Sequence, residues 1–226
     1  MREPTAPAYY DRRAPEYDDW YLGRGLYADR DRAGFDDELA DVRTALAALA
    51  PAATLDVACG TGFLTRHLPG AVTGLDQSRR MLRVAAEQAP AATLVEGDAL
   101  SLPFADGGFD GATVSFGLRN VADLDQALRE LRRVLRPGGR LAVLEFAVPT
   151  LPGLRQLYLL YFRRILPAVG RLLSDRGSAY AYLPSSVLEF PQRDGFVARM
   201  ANAGFVLGRA TDLAGGVVCL YQGERP

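Results

Sequence analysis

The sequence predicts an α/β protein with a Rossmann-like arrangement: one mostly parallel, seven-stranded sheet with helices on both faces. Strand-like apolar runs alternate with helix-periodic stretches, the order that a parallel sheet with crossover helices requires. The run Leu55-Asp56-Val57-Ala58-Cys59-Gly60-Thr61-Gly62 reads as a buried strand that breaks into a glycine turn and opens a helix. Asp76 stands at the tip of the next apolar strand, Ala71-Val72-Thr73-Gly74-Leu75. Glycines let the backbone come close to a ligand, and a carboxylate one strand further on accepts hydrogen bonds from ribose hydroxyls, so the pairing reads as a nucleoside site.

Residues 8–33, dense in aromatics, Asp and Arg, read as a helical cap laid on the surface. Phe35, Leu39, Val42, Leu46 and Leu49 recur at helical spacing up to the Pro51 break, which extends that cap over 1–50. Strands are expected at 53–57, 71–75, 92–96, 109–115 and 140–147, with helices near 62–68, 78–88 and 122–136 between them. Together they form a ligand-binding core over 51–150. Leu124, Leu128, Leu131 and Leu135 share one face of the last helix, and Arg136-Pro137-Gly138-Gly139 closes it. An apolar stretch at 151–173 starts a helical insertion or lid over 151–190, which falls before the last helix. That helix, near 191–203, and strands near 205–211 and 216–222 complete a single domain over 1–226.

Composition excludes several classes of function. A chain of 226 residues, 49% hydrophobic and 23% charged, is long enough for one domain with a sizeable core. Its net charge of -1 offers no basis for a nucleic-acid partner. The sequence contains no lysine, which removes Schiff-base chemistry and a lysine-bearing phosphate loop. Cys59 and Cys219 lie far apart and form no metal or redox motif, so no metal site is expected and a reducing cytoplasm is the natural setting. No apolar run approaches the roughly 20 residues of a spanning helix, and Met1-Arg2-Glu3-Pro4 lacks a signal-peptide core. The expected location is cytoplasmic, with a peripheral contact at the inner face of the membrane.

The details of the glycine turn select the nucleoside. A dinucleotide fingerprint places a third glycine three positions beyond the second, where this chain has Thr65. Without a diphosphate to cradle, Asp56 followed by Gly60-Thr61-Gly62 suits an amino acid joined to adenosine, which is S-adenosylmethionine. Asp76 and the adjacent Gln77 are placed on the ribose. Asp98 and Ala99 flank the adenine, the carboxylate taking the exocyclic amino proton and the amide meeting a ring nitrogen. A charged hydrogen bond contributes about 1.5–3 kcal/mol, so losing Asp76 should raise the cofactor Kd by one to two orders of magnitude.

From Gly97-Asp98-Ala99-Leu100-Ser101-Leu102-Pro103-Phe104 onward the chain resembles a known family. Phe109-Asp110, the run Ser115-Phe116-Gly117-Leu118-Arg119-Asn120-Val121, Arg133 to Leu141, Leu144-Glu145-Phe146, Tyr180-Ala181-Tyr182-Leu183 and Ala203-Gly204-Phe205 are similar to the ubiquinone/menaquinone biosynthesis C-methyltransferases, within the class I S-adenosylmethionine-dependent methyltransferases. The resemblance covers roughly 53–224, and the Phe-Gly-Leu-Arg-Asn run is its most specific part. It implies cofactor contacts from Thr61, Asp76, Asp98, Ala99 and Ser115, and methylation of a demethylmenaquinone-type ring. Tyr10, Ala14, Tyr17 and Asp18 fit the family's opening, whereas Trp20 to Leu26 depart from it. Tyr21 lies in that departure and joins Phe116, Tyr180 and Tyr182 as the expected substrate-binding set.

Methyl transfer is an in-line displacement at a sulfonium carbon, so the protein contributes by alignment and by excluding water. A ring carbon becomes nucleophilic when a neighbouring phenol ionises. At pH 7 a phenol of pKa ~10 is ionised about one part in a thousand, a deficit of roughly 4 kcal/mol. Arg119 is expected to recover part of that by stabilising the phenolate, with Asn120 orienting the oxygen; the alternative for Arg119 is a structural pair with Glu145. Two other functions stay open: methylation of an aromatic or polyketide-like natural product, and a protein that binds the cofactor without methylating. Residues 154–173 mix Leu157, Tyr158, Tyr161, Phe162 and Ile165 with four arginines. They read either as an interfacial helix on anionic lipid that admits a polyprenyl tail or as a lid or homodimer surface.

Overall fold

The computed structural model describes residues 10, 11, 14, 17–19, 44, 52–165 and 185–226. Five strands come first in the chain and run parallel: β1 (Ala53–Val57), β2 (Ala71–Asp76), β3 (Thr93–Glu96), β4 (Phe109–Ser115) and β5 (Leu135–Phe146). Two more, β6 (Val206–Leu213) and β7 (Val218–Glu224), complete a sheet of order β3-β2-β1-β4-β5-β7-β6, in which β7 is antiparallel to both neighbours. The chain order reverses between β1 and β4. In such sheets the crevice beyond the carboxyl ends of those central strands is where ligands sit.

The described residues include four α-helices: α1 (Arg79–Gln88), α2 (Leu124–Val134), α3 (Pro152–Leu160) and α4 (Asp194–Asn202). Ser78 caps α1, its hydroxyl accepting from the Met81 amide at 3.1 Å, and Asp123 caps α2 by accepting from the Gln126 amide at 2.9 Å. Each cap contributes about 1 kcal/mol and fixes where its helix begins. Helix α1 lies on β2 and β3, and α2 on β5. Helix α2 sets Ala127, Leu128, Leu131 and Val134 into the main core, which Phe196 and Met200 of α4 share with Phe205 and Tyr221. Among the described residues no helix is long and apolar enough to cross a membrane.

Several expectations from sequence are corrected. The helix expected at 62–68 is only a 3-10 turn at Thr65–His67. Gly62 is left-handed at φ +77°, and Pro69 forces Leu68 into extended backbone at φ -75°, ψ 143°, so no room remains for a second turn. Strand β5 begins at Leu135 rather than 140, because Leu135 already pairs with Phe109 before the register shifts to Gly111 and Arg140. Strands β6 and β7 start one and two residues late, separated by a turn in which Ala214, Gly215 and Gly216 are all left-handed. In the expected insertion, α3 passes into a five-residue π-helical turn at Tyr161–Ile165. Residues 166–184, and most of the expected cap over 1–50, lie outside the described residues.

Candidate active site

The two central strands end in backbone that ordinary residues seldom adopt. Ala58 after β1 and Phe116 after β4 are left-handed, at φ 56° and 57°, a conformation that costs an L-residue about 1–2 kcal/mol. Both loops are thereby turned over the ends of the strands. They also pack on each other: a Cβ on Gly117 would lie 2.7 Å from the Ala58 Cβ, so only glycine fits there. Gly60, at φ +56°, leaves open space within 4 Å of where its Cβ would be. A ligand can therefore approach the Gly60 backbone directly.

Carboxylates define the polar side of this crevice. One oxygen of Asp76 accepts the Gly60 amide at 2.9 Å and the other the Ser78 amide at 2.8 Å. Burial pushes its carboxyl above the usual range, and those amides pull it back toward the anion. Asp56 is 2% exposed and accepts from the Thr65 hydroxyl at 2.7 Å and the Thr113 hydroxyl at 3.0 Å, with its carboxyl lifted to about 6 by burial. Asp56 thus braces β1 against β4 and the glycine loop from beneath. Asp98 follows β3 and accepts the Leu100 amide at 2.9 Å. The Thr61 hydroxyl donates to Asp18 at 2.8 Å, which joins the glycine loop to the N-terminal segment.

These groups enclose one cavity of about 580 Å³. Asp56, Gly60, Thr61, Asp76, Gln77, Asp98, Ala99, Ser115, Phe116 and Asn120 all line it. Gly62 does not; its Cβ position is filled by Ala85 of α1 at 3.1 Å, so this glycine serves helix packing. Tyr21, Tyr180 and Tyr182 lie outside the described residues. Beyond the carboxylates the cavity turns apolar, walled by Phe63, Leu64, Leu144, Phe146, Leu213 and Val218, with the Phe116 and Phe146 rings 4.5 Å apart. Tyr10 and Tyr17 cover it from the N-terminal side. Sequence reasoning misses these apolar walls, because they come from separate stretches with no shared motif; the family-like opening at Tyr10, Tyr17 and Asp18 is the one signal that points to the cover.

Arg119 lies behind this chamber rather than in its lining. Its guanidinium donates to the Phe116 carbonyl and to the Glu145 carboxylate, the latter at 3.0 Å, and its Cζ stands 5.2 Å from the centre of the Phe146 ring. Burial opposes the cation, and Glu145 together with Tyr10 and Tyr17 more than offsets it, so Arg119 is held above even the ordinary arginine value. Of the two roles read for it from sequence, the geometry matches the structural pair with Glu145. Asn120 does reach the cavity, donating to the Tyr10 hydroxyl at 2.9 Å. Among the described residues no cluster suits a metal ion.

A glycine loop with open space at Gly60, a carboxylate at the tip of β2, a second acid after β3 and an adjoining apolar chamber fit S-adenosylmethionine together with an acceptor. Fold and site define a class I S-adenosylmethionine-dependent methyltransferase. The description of the ubiE/COQ5 methyltransferase family matches residues 39–225, and the chain belongs to that family. Its relatives include a demethylmenaquinone methyltransferase of Thermus thermophilus, 47% identical over 186 residues, covering 78% of this chain and 84% of the relative. The ubiquinone/menaquinone biosynthesis C-methyltransferase UbiE of Syntrophotalea carbinolica is 44% identical over 232 residues, covering 99% and 94%. Solved structures of similar fold include a possible histamine N-methyltransferase from Thermotoga maritima, at TM-score 0.69 and 20% identity over 96% of this chain and 98% of that one. The [4+2]-cyclase SpnF is similar at TM-score 0.67 and 20% identity, covering 99% and 97%; at that identity the likeness concerns the fold alone.

Proposed function

We propose that the protein transfers the methyl group of S-adenosylmethionine to a ring carbon of a demethylmenaquinol-like isoprenoid quinol. The observation that carries this reading is the single cavity that joins the cofactor's acidic cradle to an aromatic, apolar chamber on Phe116 and Phe146. A flat, apolar ring is the ligand such a chamber favours. Relatives at 41–47% identity carry the names demethylmenaquinone methyltransferase and UbiE, which supports the same acceptor class here. An isoprenoid acceptor partitions into lipid, which supports work at a membrane surface; the reading sets this at the inner, cytoplasmic face.

When bound, the cofactor supplies an electrophilic methyl on a sulfonium. Asp76, Gln77, Asp98, Ala99, Thr61 and Ser115 hold its nucleoside and amino-acid ends, and the Gly60 backbone gives it room. Phe116 and Phe146 orient the acceptor ring, while Tyr10, Tyr17 and Asp18 keep water out. Asn120 and the Tyr10 hydroxyl form the hydrogen-bonding pair for a quinol oxygen. Arg119 stands behind the Phe146 ring, paired with Glu145, and holds the turn that carries Phe116 and Asn120 in place. Incubation with methyl-labelled cofactor and a panel of quinols and phenols tests the reading. Label on a ring carbon of a demethylated naphthoquinol is expected; label on oxygen, or on no quinol at all, overturns it.

A further inference from the structure

Helix α3, its N-cap residue Leu151 and the turn after it hold five of the eight large apolar side chains that stand exposed among the described residues: Leu151, Leu154, Leu157, Leu160 and Tyr161. No residue of α3 is buried. Leu151, Leu154, Leu157 and Tyr161 follow at intervals of three, three and four, which places them along one side of the helix. Leu151 and Leu157 keep 63% and 61% of their surface in solvent. An apolar helix side normally faces a core, and a contiguous exposed one marks a binding surface.

One end of this ridge abuts the acceptor chamber. A methyl placed on Gly215 would touch Leu154 Cδ2 at 3.4 Å, and the two preceding residues, Leu213 and Ala214, line the cavity. The wall between chamber and ridge is therefore the thin turn at 214–216, where φ is 49°, 66° and 87° and two of the three residues have no side chain. From Leu151 to Tyr161 the ridge extends about 15 Å at helical rise. Its charged neighbours are exposed arginines, Arg155 and Arg164, which border the stripe without interrupting it.

We propose that this ridge seats the isoprenoid tail of the acceptor. With the ring between Phe116 and Phe146, the tail leaves past the 214–216 turn and lies along Leu154, Leu157 and Tyr161. The inference rests on the reading of the acceptor as an isoprenoid quinol. Continuity supports that occupant: the turn that touches Leu154 runs on directly from the cavity-lining Leu213 and Ala214.

Two measurements on the full-length protein test it. In the first, KM is compared for a tailless naphthoquinol and for one bearing a long prenyl chain, in wild type, in Leu157→Glu, and in Leu207→Glu as a control. Leu207 is exposed too, at 75%, but lies toward the other end of β6 from Leu213. Leu157→Glu should raise KM for the tailed quinol about tenfold and leave kcat and the tailless KM unchanged, with Leu207→Glu matching wild type throughout. Equal effects on both quinols, or none on either, overturn the proposal. The second measurement needs no turnover: a fluorescent prenyl ether without a quinol ring is titrated into each protein. Wild type and Leu207→Glu should bind it and Leu157→Glu bind it about tenfold more weakly. Equal binding by all three overturns the proposal even if no quinol is ever methylated, whereas loss of methylation with intact probe selectivity strikes the acceptor reading alone. Conversion of a dimer to a monomer by Leu157→Glu in sedimentation, with probe binding unchanged, assigns the ridge to a second copy of the chain and overturns it likewise.

Discussion

The Arg119 guanidinium sits on the Glu145 carboxylate at 3.0 Å, with 7% and 0% of the two side chains exposed. Glu145 belongs to β5, and the Arg119 amide also donates to it at 3.2 Å, so the pair clamps the turn after β4 onto the neighbouring strand. Removing one partner leaves the other as a buried, uncompensated charge. Arg119→Ala or Glu145→Ala should each lower stability by about 3–5 kcal/mol in urea unfolding. A double variant with Met at both positions should regain most of that loss, because two desolvated charges are removed together. If the cation also biases the chamber toward phenolate, the double variant binds cofactor normally and turns over slowly. Wild-type turnover in the double variant would reduce the pair to a structural clamp.

Asp56 gives the protein a titration of its own. Burial lifts its carboxyl to about 6, with the Thr65 and Thr113 hydroxyls pulling the other way. A folded-state value above the unfolded one means that the folded protein holds the proton more tightly. The group's contribution is complete at low pH and is lost as pH rises from about 4 through about 6. At pH 7 the buried anion costs the fold about 3 kcal/mol relative to the unfolded chain. Asp56→Asn keeps the shape and removes the ionisation. Its stability relative to wild type, from urea midpoints, should rise by about 3 kcal/mol between pH 4 and pH 7; a difference that stays constant with pH contradicts this account.

Asp18 ties the N-terminal segment to the glycine loop and to the end of α1. It accepts the Thr61 hydroxyl at 2.8 Å on the glycine loop and the Gln88 amide at 2.5 Å on the last residue of α1. Asp11 adds a third tie through the Ser78 hydroxyl at 2.5 Å. Tyr10, Tyr17 and Asp18 line the cavity beside these ties, so loosening them should ease the cofactor's exit. Asp18→Ala loses hydrogen bonds to a charged group, about 1.5 kcal/mol or more, and should speed cofactor dissociation about tenfold in stopped-flow. Asp18→Asn, which can still meet both partners, should fall between. An unchanged dissociation rate in both variants removes the latch role.

Strands β1 to β4 and helices α1 and α2 fall within two residues of where apolar spacing puts them, since periodicity is a local property and all but the half-exposed β3 have buried residues. The stretch at 62–68 misleads because Leu64 and Leu68 have helical spacing while the left-handed Gly62 and the restriction from Pro69 are decisive. Asp76, Asp98 and the glycine turn are legible because their chemistry lies in contiguous motifs at strand ends. The chamber is not: Phe63, Phe146 and the hairpin pair Leu213 and Val218 come from three separate stretches and meet only in the folded chain. Arg119 shows the same limit. Its run marks it as special, but which side of Phe146 it occupies depends on Glu145, 26 residues away.

Gly60 and Gly62 belong to one motif and should fail in different ways. Both are left-handed, at φ 56° and 77°, so alanine at either adds about 1–2 kcal/mol of backbone strain. They differ in what the new methyl meets. At Gly60 nothing lies within 4 Å, and this is the space proposed for the cofactor; at Gly62 the methyl meets the Ala85 Cβ at 3.1 Å and Cα at 3.2 Å, against α1. Gly60→Ala should therefore fold with only the strain penalty and bind S-adenosylmethionine at least tenfold more weakly. Gly62→Ala should lose a further ~1–3 kcal/mol to overpacking while its folded fraction keeps nearly wild-type affinity. Urea unfolding and calorimetric titration on both variants separate the two effects. Parallel losses of affinity would mean that Gly62, too, faces the ligand.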